Sequence, residues 1–321
     1  MAVTTKVLRK MCAQLQSSSS YEGSAMYTLP LTSGIGAQEF DPIADESILG
    51  LGFQNPTYQG GRKTGLAGVQ FNAGPNAIST IFEAALGVNS SEVFTMEQHS
   101  KKLSICALDG VAANQYANQY VSRLRFSGAA NGIFSIEIDT ISPTAEVRAA
   151  TSSYPASPTV PGTPFLFHEM GSTNGYFRVD SVDSALTSGD NRVVNDFWFE
   201  VNNKFEYDYS NNGIGSLTPL WGQGGLIEVT AGFTLSRHDS DDLLVDRDAD
   251  TFMQLEAQIY KSATKSLLIQ IPAFKIKGNP TDENISRVPI ECIVARNGMG
   301  TNYYNTNMAF VSPLKITLVN S

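Results

Sequence analysis

The residues best suited to chemistry lie in a short acidic stretch, residues 239–250, which holds six aspartates. Asp246, Asp248 and Asp250 alternate like the first ligands of a calcium-binding loop. Thr251 stands where such a loop needs glycine, and Ala257 stands where it needs a bidentate glutamate. The stretch therefore favours a solvated acidic loop, and Asp246, Asp248 and Asp250 are kept only as a weak metal-site candidate.

Catalytic motifs are missing from the sequence. The three histidines, His99, His168 and His238, lie outside any zinc-protease or haem-attachment spacing, and no G-x-S-x-G is present. A Ser/His/Asp triad assembled from distant positions stays open. The glycines of residues 34–36 and 60–61 lack the full spacing of nucleotide-binding loops. We therefore predict no catalytic residue, no cofactor and no enzymatic activity.

Three cysteines, Cys12, Cys106 and Cys292, are widely spaced and form neither a C-x-x-C pair nor a Cys/His pattern. This spacing indicates neither a disulfide framework nor a zinc site. The expected role is that of buried or inert thiols.

Composition narrows the class of protein further. The chain has 321 residues, is 42% hydrophobic and carries a formal charge of −9, so it can bury a large core and lacks the basic field of a nucleic-acid binder. No apolar run reaches the ~18 residues of a spanning helix. The basic start (Lys6, Arg9, Lys10) leads into glutamines and serines rather than a signal-peptide core. We expect a soluble protein made in a cytoplasm.

A proline-rich segment divides the chain. Residues 142–164 carry five prolines among serine, threonine and alanine, which disfavours helices and strand pairing. The sequence thus predicts a first unit over residues 1–141, a linker over 142–164 and a second unit over 165–321. Each unit has the size of a domain, and a duplication is suspected although no repeat aligns.

Alternation of apolar and polar residues predicts mostly antiparallel strands. The clearest run is residues 226–236, with Phe233 facing the core. Asn202-Asn203 is predicted to form a hairpin turn between two strands. Further strands are predicted at residues 103–108, 120–126, 134–139, 197–201, 205–209, 267–271, 288–294 and 314–318.

Two short helices are expected among the strands. Ile78, Ile81 and Phe82 recur at helical spacing, with Pro75 ahead and Gly87 behind. A second helix is predicted over residues 251–262. The Gly-rich residues 17–67 show weak periodicity and form either a long functional loop or two short unrecognised strands.

In its order of features the sequence resembles the major tail tube proteins of long-tailed bacteriophages. The resemblance rests on the helix at residues 77–87 ahead of a set of strands, the strand-turn-strand of residues 124–139 and the proline-rich segment. In the second half, Asn202-Asn203 followed by a V-T-x-x-F-x-L strand over residues 229–235 is similar to the paired strands of that family. The pattern covers most of the chain from about residue 65 onward.

The resemblance implies a mainly β fold with two β-sandwich or barrel-like tube units, each with one short helix. It implies a structural virion protein whose stacked rings form a tail tube for DNA ejection, assembled in the bacterial host cytoplasm. Rings of three with pseudo-sixfold symmetry are expected if the unit is duplicated, and rings of six otherwise. The expected partners are copies of the chain itself, other tail proteins at the tube ends and genomic DNA passing without specific binding; no membrane is involved.

The acidic balance suits such a channel, because a neutral or negative wall repels the duplex whereas a basic wall binds its phosphates. We expect carboxylates to outnumber cations on the channel wall. The alternatives are another tail, baseplate or decoration component, and a carbohydrate-binding or hydrolytic β-sandwich. In the carbohydrate alternative the aromatics Trp198, Trp221, Tyr303 and Tyr304 form a stacking platform.

Overall fold

The computed structural model describes residues 10–33, 37–44, 57–96, 101–208, 220–223, 226–236, 242–277, 288–295, 305–308 and 310–320. The protein is mainly β, as predicted. The two α-helices of this part are α1 (Pro75–Leu86) and α2 (Asp242–Asp248). The strands are β1 (Lys10–Leu15), β2 (Tyr27–Leu29), β3 (Leu31–Ser33), β4 (Ala37–Ala44), β5 (Thr57–Gly65), β6 (Val69–Asn72), β7 (Gly87–Ser90), β8 (Val93–Met96), β9 (Leu103–Leu108), β10 (Ala113–Ala129), β11 (Ser135–Ile141), β12 (Val147–Ala149), β13 (Tyr176–Ser181), β14 (Val194–Asn202), β15 (Phe205–Asp208), β16 (Leu220–Gln223), β17 (Glu228–Leu235), β18 (Met253–Ser262), β19 (Lys265–Lys277), β20 (Val288–Val294) and β21 (Lys315–Asn320).

Antiparallel pairing joins most strands around one core. The large sheet runs in the order β3, β6, β11, β10, β14, β17, β20. The last strand of this sheet, β20, also pairs with the end of β19. β19 belongs to a second layer, in which the strands lie in the order β13, β18, β19, β21, β8, β7. A small sheet of β2, β1, β9, β10 and β12 shares the long strand β10. The whole array is barrel-like.

Both predicted units contribute to the same sheet. β10 pairs with β14 from Arg123↔Asn202 to Ala129↔Asp196, and β8 pairs with β21. One contiguous cluster of buried side chains draws on residues from Met11 to Leu318. The division at 142–164 and the suspected duplication remain predictions.

The proline-rich segment is not free of strand pairing, contrary to expectation. β12 lies within it and pairs with the start of β10. Farther along, the Thr159 amide donates to the Met26 carbonyl (2.8 Å), and the Asn76 amide donates to the Pro161 carbonyl (3.1 Å). No proline has to donate in these contacts: Thr159 donates in the first, and Pro161 only accepts in the second. The missing amide of proline therefore prevents neither contact.

Helix α1 forms where the sequence predicts it. Pro75 occupies the first turn, where its missing amide costs nothing. Gly87 ends the helix with φ 97°, and its amide donates to the Glu83 carbonyl. Phe82 packs edge-on against Phe94 of β8 at a ring separation of 5.8 Å.

The second predicted helix is wrong: residues 253–262 form strand β18. The three apolar residues at 252, 255 and 259 fit a helix, but Met253, Leu255, Ala257 and Ile259 alternate with polar neighbours at strand spacing, and all four are fully buried. Pairing of β18 with β13 and β19 selects the strand. The second helix in the described residues is α2, within the acidic stretch.

The predicted turn at Asn202-Asn203 is also wrong, because β15 pairs with β16 and β14 pairs with β10 and β17. Asn203 is fully buried. Its side-chain amide donates to the carbonyls of Ala85 (3.0 Å) and Val121 (2.8 Å). It thus ties the end of α1 to β10 rather than turning a hairpin.

Residues 17–67 contain four strands, β2 to β5, so strands rather than one long loop form the described part, and their number exceeds the two predicted. Residues 34–36 and 45–56 of this segment lie outside the described residues. β2 and β3 extend the small and large sheets, and β4 pairs with β5 as a separate ribbon.

A stack of phenylalanines fills the core beside α1. Phe126 lies between Phe134 (4.9 Å) and Phe199 (5.4 Å), and Phe134 also stacks on Phe167 (5.5 Å). Gly128 lies against this stack, because a Cβ added there would be 2.4 Å from the Phe134 ring. The absence of a side chain at Gly128 therefore sets the position of Phe134.

We expect Gly128→Ala to lower the free energy of unfolding by about 1–3 kcal/mol, because the buried Phe134 ring cannot move aside. Gly171→Ala is the matched control, since no atom lies within 4 Å of its added Cβ. Urea denaturation measures both variants. Equal midpoints for the two variants would contradict the packing around Gly128.

Candidate functional site

The acidic residues predicted as a weak metal site do not form a cluster. Asp246 and Asp248 lie in α2 and Asp250 in the following turn, so the stretch is a helix rather than a loop. Asp248 pairs with Arg247 (2.8 Å) and Asp250 with Lys275 (2.6 Å). Within the described residues, no three His, Cys, Asp or Glu side chains converge as metal ligands. Asp239 and Asp241 lie outside that part of the chain.

His168 and Glu169 point apart, as expected for neighbours. His168 is exposed, whereas Glu169 is buried and accepts the Leu166 amide (2.9 Å) in the 3-10 turn Phe167–Gly171. Glu169 also lies 3.7 Å from Lys261. This carboxylate holds a turn in place. His99 and His238 lie outside the described residues.

The outward side of the large sheet carries many charged and polar side chains and is here called the polar face. It consists of the outward side chains of β6, β11, β10, β14, β17 and β20, which alternate with the buried core residues. Strand register sets its rows: Gln70, Glu137, Arg125, Glu200, Thr230 and Ile293 lie side by side across six strands.

An ion network occupies the centre of the polar face. Arg123 donates to Asp139 (2.6 Å) and Glu200 (3.3 Å) and pairs with Glu137. Arg125 lies 3.6 Å from the same Glu200 carboxylate. The hydrogen bond with Asp139 raises the pKa of Arg123, so the guanidinium stays charged. The two arginines therefore neutralise only part of the charge of the three carboxylates.

Trp198 lies flat on the sheet beside this network. A Cβ added at Gly232 would be 2.7 Å from the indole ring, so only glycine allows this close approach. The Arg125 guanidinium lies over the ring, 4.5 Å from its centroid. The indole therefore packs against both Gly232 of β17 and the Arg125 guanidinium.

Carboxylates outnumber cations on the polar face, even when Lys204 and the neighbouring β19 residues Lys275 and Lys277 are counted at its margin. The carboxylates are Glu137, Asp139, Asp196, Glu200, Glu228 and Glu291, and the cations are Arg123, Arg125, Lys275, Lys277 and Lys204. Cross-strand pairs hold several of them, including Lys277 with Glu291 (3.2 Å) and Lys204 with Glu228 (2.8 Å). The face is thus well ordered and weakly negative.

The edges of the sheets differ in how they are covered. β13 is capped where the Arg192 amide donates to the Phe177 carbonyl (2.8 Å), and β2 is capped by Thr159. Among the described residues, β3, β7 and β12 pair on one side only. β12 also presents Val147, which is 55% exposed. An exposed apolar edge of this kind is a site for adding a strand from another chain.

Sequence reasoning missed the polar face as a unit. The alternation of Glu137 and Asp139 with buried isoleucines places both on one face, and that signal was readable. Their meeting with Glu200 depends on the pairing of β10 with β14, which no local pattern reveals. Of the four aromatics predicted as a platform, Trp198 packs against Gly232 and Arg125, Trp221 lies in β16, and Tyr303 and Tyr304 lie outside the described residues.

No protein-family model matches the sequence, and no curated protein matches it significantly. In the described part of the chain, no helix is long and apolar enough to cross a membrane.

Proposed function

We propose that this chain is a structural virion protein that polymerises into stacked rings forming a bacteriophage tail tube. The polar face lines the channel through which DNA passes. Rings contain three copies if the tube unit is duplicated and six otherwise. The protein resides in the virion tail and contacts other tail proteins at the tube ends.

The weakly negative polar face is the observation that carries this proposal. Because its arginines and lysines are paired with carboxylates, few cations are free to bind phosphate. Such a wall repels a DNA duplex and makes few contacts with its phosphates, so few counterions are released and the duplex is not bound.

The open edge of β12 supports polymerisation. Main-chain groups on its outer side can pair with a strand of a neighbouring copy, and Val147 adds apolar area to the contact. Head-to-tail contacts of this kind close into rings when the rotation allows. A carbohydrate platform has less support, because the Trp198 ring already packs against Gly232 and the Arg125 guanidinium.

Charging the β12 edge tests the assembly. We expect Val147→Lys to keep the fold but raise the concentration needed for assembly about tenfold, equivalent to about 1.4 kcal/mol per contact. Val245→Lys is the control, because Val245 is a similarly exposed valine (61%) on α2 rather than at a sheet edge. Sedimentation of assembled material measures both variants. Equal effects of the two substitutions would show that β12 does not lie in the interface between copies.

A further inference from the structure

Two of the three cysteines meet on the outer side of the small sheet. Cys12 of β1 lies directly opposite Cys106 of β9 in the strand register. Both are fully buried and free, in a cluster separate from the main core that includes Met26. We call Cys12, Cys106 and Met26 the sulfur cluster. Tyr21 and Tyr154 pack over it.

The three sulfur atoms converge. Cys12 Sγ lies 3.1 Å from Met26 Sδ, and the two cysteine thiols hydrogen-bond to each other. Each thiol also has a tyrosine hydroxyl beside it, Tyr154 at Cys12 and Tyr21 at Cys106. The Tyr21 hydroxyl lies 3.8 Å from Met26 Sδ. Phenol hydroxyls can donate to thiolates and orient them, as outer groups do around metal ligands.

The register argues against a disulfide. The Gln16 amide donates to the Lys102 carbonyl (2.9 Å) directly across β1 and β9, so that pair is a hydrogen-bonded one. Hydrogen-bonded pairs alternate along the ladder, which makes Cys12 and Cys106 a hydrogen-bonded pair as well. Their Cβ atoms are then about 5.5 Å apart, beyond the roughly 3.5–4.5 Å of a disulfide. An ion bound to both sulfurs, with bonds of about 2.3 Å, spans up to about 4.6 Å between them.

We propose that Cys12, Cys106 and Met26 bind a soft monovalent metal ion, Cu(I), through their three sulfur atoms. The ion replaces two thiol protons, which pass to solvent, and forms two copper–thiolate bonds and one copper–thioether bond without a change in oxidation state. Thiolate and thioether ligands select Cu(I) over hard ions such as magnesium or calcium. Structural zinc needs four ligands, one more than the sulfur cluster supplies.

The chemistry of the two thiols fits a proton-coupled site. Both thiols must lose a proton to bind the ion, so the affinity for Cu(I) should fall as pH falls. This site is independent of the proposed tube function.

Anaerobic titration with Cu(I), supplied as its acetonitrile complex in competition with the chelator bicinchoninate, tests the site in the full-length reduced protein. We expect one Cu(I) per chain, a rise in melting temperature and about three sulfur neighbours near 2.3 Å by X-ray absorption. Met26→Leu, which preserves volume, should weaken binding by about tenfold or more. Cys12→Ala should abolish binding.

Cys292→Ala is the matched control, because Cys292 is equally buried but lies in β20 of the large sheet. It should bind Cu(I) like the unaltered protein. The proposal is overturned if the unaltered protein does not compete with the chelator, if Met26→Leu binds as tightly as the parent, or if Cys292→Ala loses binding. Should Cys12→Ala fail to fold, the Met26→Leu and Cys292→Ala titrations decide.

Discussion

Replacing Phe233 with aspartate is expected to leave no folded protein. Phe233 is 1% exposed in β17, and its ring lies 5.0 Å from that of Phe177 in the opposite layer. Loss of the large apolar side chain lowers the free energy of unfolding by about 3–5 kcal/mol. Burial of an unpaired charge lowers it by a further several kcal/mol. The sum matches or exceeds the whole stability of a typical domain, about 5–15 kcal/mol.

Thr234→Asp controls for the position, because Thr234 is the next residue of β17 and faces outward on the polar face. The free energy of unfolding of Thr234→Asp should lie within about 1 kcal/mol of that of the parent protein, since a solvated strand face tolerates a charge. Circular dichroism and thermal melting measure both variants. A soluble Phe233→Asp with an unchanged melting temperature would show that the faces of β17 are reversed.

Asn203→Asp is expected to lower the free energy of unfolding by about 3–5 kcal/mol, the second-largest effect, because it buries an uncompensated charge. The amide nitrogen of Asn203 donates to two carbonyls, those of Ala85 and Val121. A carboxylate of the same shape has no hydrogen to donate and places negative oxygens against both carbonyls. The end of α1 then loses its link to β10.

Asn202→Asp is the control for Asn203→Asp. The Asn202 side-chain oxygen accepts the Lys204 amide (3.0 Å), and a carboxylate oxygen can accept it equally well. We expect chemical denaturation to show a change of under about 0.5 kcal/mol for this variant. If the two variants lose the same stability, the buried amide is not the link described here.

Much of the fold follows from local patterns. Strict alternation in β14 and β17 predicted both strands and their buried faces, and Phe197, Phe199 and Phe233 are buried as expected. Pro75 and Gly87 bracket α1 as predicted. These elements were predictable because a period of two or of about 3.6 residues is set by which face meets the core.

The failures share one physical cause, since local patterns do not encode strand partners. The spacing of the apolar residues 252, 255 and 259 suits a helix. The segment is nevertheless a strand, because β18 pairs with both β13 and β19. The asparagines at 202–203 suit a tight turn, yet β14 already has β10 and β17 as neighbours, and Asn203 is drawn inward. Tertiary pairing decides such ambiguous stretches.

The candidate sites were harder to predict than the strands. The excess of carboxylates was readable from composition, but the network around Arg123 joins strands whose contacting residues are up to 77 positions apart. Burial of Cys12 and Cys106 was predicted correctly. Their meeting across β1 and β9, 94 positions apart, needs the fold.

Negative-stain electron microscopy of the concentrated, unaltered protein tests the central claim most directly. If the chain builds a tail tube, the images will show rings or hollow cylinders of uniform diameter, and the amount will rise with protein concentration. Particles that stay single and compact at every concentration, ionic strength and pH examined would contradict it.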